Sequence, residues 1–105
     1  MKPARRRPQA RTDILDTARH YRQAAGAAVA QRFVQAVKEA ITQLEANPAI
    51  GSPRIGQEIE VAGLRTWRLN GFPATVWYFQ QKDHLDIVRV IGERQDPELV
   101  GMLNS

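Results

Sequence analysis

The chain contains no cysteine, which excludes a disulfide framework, thiolate-bound zinc, iron–sulfur clusters and thiol nucleophiles. Histidine is nearly absent. His20 and His84 are too far apart in sequence to form a local metal motif, so neither a metal nor a cofactor is expected. Serine is scarce as well: Ser52 lies in a Pro/Gly-rich stretch and Ser105 at the last position, a poor basis for a Ser–His pair. There is no Gly-rich phosphate loop and no dinucleotide fingerprint. No apolar run approaches the roughly 20 residues of a membrane span. The best candidate, Ala24 to Ala30, ends at Gln31-Arg32. The basic N-terminal stretch is not followed by an apolar one, so it does not read as a secretory signal. The expectation is one soluble, cytoplasmic domain spanning residues 1–105.

Charge is plentiful and unevenly spread. Residues 1–32 hold eight Lys/Arg against Asp13 and Asp16, whereas residues 33–105 hold seven against nine acids. A basic end attracts acidic protein surfaces or phosphate backbones. A solvated terminus has the same composition. Arg5-Arg6-Arg7 carries no interleaved aromatic, so direct nucleic-acid binding without a partner is not expected.

Apolar periodicity organises the rest. Residues 1–9 form a basic segment that an edge strand would tolerate despite Pro3 and Pro8. Thr12-Asp13 reads as a helix entry, and Ile14, Ala18 and Tyr21 recur at helical spacing. Gly26 permits a turn, after which Ala30, Phe33, Val37, Ala40 and Leu44 form a seam that ends at Asn47-Pro48. Helices are therefore expected over about 10–22 and 26–46, joined as an αα-hairpin. The period changes after Pro48. Residues 50–62, with Gly51, Pro53 and Gly56, read as a loop. Strands follow near 64–69, 74–80 and 85–91, divided by Asn70-Gly71 and Lys82-Asp83-His84. Thr75 to Phe79, apolar on both faces, belongs in the interior of the sheet. Pro97 opens a short terminal helix with Leu99, Val100 and Met102 or Leu103 inward. The fold class is α+β, a helical hairpin on a small twisted antiparallel sheet, in the order (β)-α-α-β-β-β-α.

Five arginines stand out in the second half: Arg54, Arg65, Arg68, Arg89 and Arg94. Converging guanidinium groups bind phosphate or pair bidentately with carboxylates. Nearby Glu58, Glu60, Glu93 and Asp96 offer the plainer alternative of mutual neutralisation. Trp67, Trp77 and Tyr78 suit core strand positions, with one of them free to face a partner.

In order and spacing the chain resembles the ParE branch of the ParE/RelE toxin superfamily. The resemblance rests on Ala10, Asp13-Ile14 and Tyr21, then Phe33 and Leu44, then Pro48-x-x-Gly51-x-Pro53 and Gly63-Leu64-Arg65. Gly71-Phe72-Pro73, Tyr78 and Ile87-Val88-Arg89-Val90-Ile91-Gly92-Glu93-Arg94-Gln95-Asp96 complete it, covering about residues 10–97. Two features depart from the pattern. The family's first strand is apolar and alternating, whereas this chain has Ala4-Arg5-Arg6-Arg7-Pro8, and Glu93 and Gln95 dilute the positive charge usual after the last strand.

The resemblance implies the toxin half of a type II toxin–antitoxin pair, neutralised by a ParD-like antitoxin in a hetero-oligomeric complex. Partner contacts are expected at Arg65, Trp67, Arg68, Arg89, Glu93 and Arg94. ParE-like members poison DNA gyrase, while RelE-like members cut mRNA on the ribosome. Cleavage through the 2′-hydroxyl needs a base, an acid and phosphate-neutralising cations. Glu58 or Glu60 resembles the family's base, but no Tyr or His follows His84 and no Lys lies between Lys38 and Lys82. The reading therefore favours a gyrase-directed binding protein without catalytic residues, with an mRNA endonuclease as the alternative.

Overall fold

A computed structural model describes residues 1–92. The elements run β1 (Ala4–Arg6), α1 (Pro8–Ala25), α2 (Ala27–Ala46), α3 (Arg54–Glu58), β2 (Leu64–Arg68), β3 (Ala74–Gln80) and β4 (Leu85–Gly92). The terminal helix expected from Pro97 lies outside the described residues.

Helix α1 starts earlier than Thr12-Asp13. Pro8 occupies its first turn, where its fixed φ suits a helix and its missing N–H is no loss. Arg7 before it is extended, as a residue preceding proline prefers. Asp13 is thereby carried into the helix interior and buried. Gly26, at φ 95°, breaks the rod between α1 and α2, a conformation that strains a side-chain-bearing residue. Asn47 then closes α2 through its backbone N–H to the Gln43 carbonyl.

The sheet order is β1-β4-β3-β2. Strands β2, β3 and β4 form the expected antiparallel meander with β3 in its interior, but β1 pairs parallel with β4, so the sheet is mixed. One extra residue, Val88, separates the Trp77–Arg89 and Tyr78–Ile87 pairs as a bulge.

The hairpin covers one face of the sheet. Phe33, Val37 and Leu44 of α2 pack there with Val76, Tyr78, Ile87 and Val90. Tyr21, Phe33 and Phe72 meet with centroids 5.3–5.5 Å apart, joining both helices to the β2–β3 turn. The outer face carries a smaller core of Leu64, Trp77 and Ile91. The stretch expected to be a loop at 50–62 helps cover this core. It contains α3, whose Ile55, with Ile59 one turn on, packs against the outer core.

Candidate functional site

The expected site residues lie on two faces of the sheet. Arg65 pairs in register with Tyr78 on the helix-facing side, where its Nη1 donates to the carbonyls of Gly51 (2.7 Å) and Ala49 (3.3 Å). Tyr78 works on the same turn, its hydroxyl donating to the Pro48 carbonyl (2.7 Å) and accepting from the Gly51 N–H (3.0 Å). Burial pushes the Tyr78 phenol up, against the opposing effect of the Gly51 hydrogen bond and the Arg65 charge. A Cβ on Gly51 would overlap the Tyr78 ring and hydroxyl, which explains a glycine there. Pro48, Gly51, Arg65 and Tyr78 thus form one clasp.

Arg89 lies opposite Trp77 on the other face and reaches over the edge of β4 to Asp13. Its Nε and Nη2 donate to the two carboxylate oxygens at 2.7 and 3.0 Å, and the Val90 N–H donates to the same carboxylate at 3.0 Å. Hydrogen bonding to Asp13 holds the Arg89 guanidinium above its ordinary value. The bulge at Val88 alternates the strand so that the Val90 amide reaches Asp13. Arg7 makes a comparable fork onto Asp86, with its closest contact 2.6 Å.

Trp67 is half-buried and donates its indole N–H to Gln43 on α2 at 3.1 Å. Arg68 is exposed and stands opposite Thr75. Glu93 and Arg94 lie outside the described residues. Arg65 and Arg89 therefore do not converge: β3 separates them, and each is held by bonds within the fold. His20 sits on α1 beside Tyr21, and His84 lies in the β3–β4 turn hydrogen-bonded to Asp83. Among the described residues no group of His, Asp and Glu suits a metal.

A small cavity of about 200 Å³ lies on the outer face beside Arg89 and Trp77, and larger concave surface lies on the hairpin. A groove of about 410 Å³ runs between α1 and α2, floored by Ala18, Ala30 and Val34 and rimmed by Arg19, Arg22 and Lys38. Leu15 stands on it with 58% of its surface exposed. A second cleft, of about 850 Å³, lies between β1 and the side of α2. Of the Ala-rich run, Ala30 lines the groove. The cleft was missed, since Lys38 is far in sequence from the Arg5–Arg11 stretch it joins.

The ParE toxin family model, described as the toxin of type II toxin–antitoxin systems, matches residues 5–97. The chain belongs to the ParE toxin family. A solved structure, described as a chromosomal ParDE toxin–antitoxin system from P. aeruginosa, is similar at 26% identity and a TM-score of 0.74. That similarity covers 88% of this chain and 96% of the other. No curated protein matches it. The family match begins at Arg5, inside β1, so the basic residues Arg5 and Arg6 of that strand lie within the matched region. No helix among the described residues is long and apolar enough to cross a membrane.

Proposed function

We propose that this ParE-family toxin acts on DNA gyrase by binding, and that a ParD-like antitoxin silences it by laying an amphipathic helix in the α1–α2 groove. The observation that carries the antitoxin half is the exposed Leu15 above a floor of small side chains, bordered by Arg19, Arg22 and Lys38. Small residues allow a partner helix to approach closely, and the basic rim selects one with an acidic flank. Such a helix orders on binding, so apolar anchors supply most of the affinity.

The gyrase half rests on family membership and on the chemistry of the arginines. A ribosome-dependent nuclease would use cations free to meet a phosphate, whereas Arg65 and Arg89 are engaged internally on opposite faces. Arg68, Trp67, Glu93 and Arg94 remain the proposed contacts to target or antitoxin.

Purified toxin added to gyrase and supercoiled plasmid should yield enzyme-linked DNA breaks. A translation extract should show no codon-specific mRNA cuts. Such cuts, with gyrase unaffected, would replace this reading by the nuclease. Leu15→Glu should abolish neutralisation by a ParD-like antitoxin while leaving toxicity intact. Unchanged neutralisation would remove the groove from the proposal.

A further inference from the structure

The cleft beside β1 joins an edge strand to a cluster of cations. Among the described residues β1 is the last strand of the sheet, paired only with β4. The Pro3 carbonyl and Arg7 amide both bond to β4, so the backbone groups of Ala4 and Arg6 face the open side. On that side the Ala4 N–H already donates to the Glu45 carboxylate of α2, at 2.8 Å. Arg6, Arg11 and Lys38 line the cleft without an ion pair among the described residues, while Arg5 feels the charge of Asp83. Among the described residues lining the cleft, one carboxylate, Glu45, stands with four cations.

We propose that this cleft receives an extended acidic segment of the antitoxin, which adds to the sheet as a fifth strand beside β1. The inference rests on the groove reading for the source of the segment. Lys38 lines both groove and cleft, so a chain leaving a helix in the groove enters the cleft directly. Strand addition satisfies the outward backbone groups of this short edge other than the Ala4 N–H, which Glu45 holds, and alternate carboxylates meet Arg6, Arg11 and Lys38. Nucleic acid fits less well. The cleft has no aromatic lining residue on which bases could stack, and Glu45 lies within it.

The test uses purified toxin and a short alternating Glu–Val peptide as probe, followed by amide chemical shifts and by fluorescence anisotropy. Binding should shift the Ala4 and Arg6 amides and weaken as salt rises. Arg6→Glu/Lys38→Glu should weaken it by about tenfold, whereas Arg32→Glu/Lys82→Glu, the same charge change elsewhere, should alter it less than about twofold. A peptide with prolines at alternate positions should not bind, because strand pairing needs its N–H groups. No binding, equal loss in both double variants, or retention of the proline peptide would overturn the proposal. Tighter binding of an oligothymidylate at the same amides would reassign the cleft to nucleic acid. Peptide binding with intact neutralisation of Leu15→Glu would separate this site from the groove reading.

Discussion

At the scale of single residues, the charged groups most prominent in the sequence serve the fold. Asp13 accepts from Arg89 twice and from Val90 once, deep enough that the Arg89 side chain is only 14% exposed. Asp13→Ala would leave that guanidinium without its counter-charge, a loss of about 3–5 kcal/mol for a buried pair. Adding Arg89→Met should recover most of it, since an apolar pair of similar volume avoids both desolvation terms. Urea unfolding of the two variants measures the difference. Tyr78→Phe orphans the Gly51 N–H and the Pro48 carbonyl, for about 1–3 kcal/mol. Its pH signature has a definite sign. The folded phenol ionises above its ordinary value of 10.0, so the stability it contributes is complete below that pH and is lost as pH rises through the folded value. Thermal melts between neutral and strongly alkaline pH should therefore decline less steeply for Tyr78→Phe.

At the scale of elements, the hairpin depends on one backbone torsion. Gly26 stands at φ 95° with open space around it, so a methyl group there meets no neighbour, only an unfavourable conformation. Gly26→Ala should cost about 1–2 kcal/mol and appear as a lower melting temperature without loss of helicity by circular dichroism. Gly51 has the opposite problem, since space and not torsion is limiting under Tyr78. Gly51→Ala should cost about 1–3 kcal/mol through overpacking, and pairing it with Tyr78→Phe should be less than additive because both break the same clasp.

At the scale of the whole molecule, Arg5, Arg6, Arg11, Arg19 and Arg22 of the basic first third line the cleft and the groove, which share Lys38. Long-range attraction of that kind accelerates encounter more than it holds the complex. Raising salt should therefore slow association with the antitoxin much more than it speeds dissociation, readable by stopped-flow fluorescence. Equal effects on both rates would place the charges inside the tight interface.

Local order was legible because it is written in local signals. The seam from Ala30 to Leu44, the breaks at Gly26 and Pro48, and the apolar run from Thr75 to Phe79 determine two helices and an interior strand without reference to other parts of the chain. Even α3 has a trace in Ile55 and Ile59, masked by the surrounding Gly and Pro. The family pattern was legible too, and its match to residues 5–97 agrees. What tertiary structure alone decided is which charge meets which. Asp13 and Arg89 are 76 residues apart, and Arg7 and Asp86 are 79. The Val88 bulge and the parallel pairing of β1 bring these partners within reach. A charge in a sequence has no direction until the backbone gives it one, so its composition announced a basic protein and only its folding showed that Arg7 and Arg89 each meet a distant carboxylate.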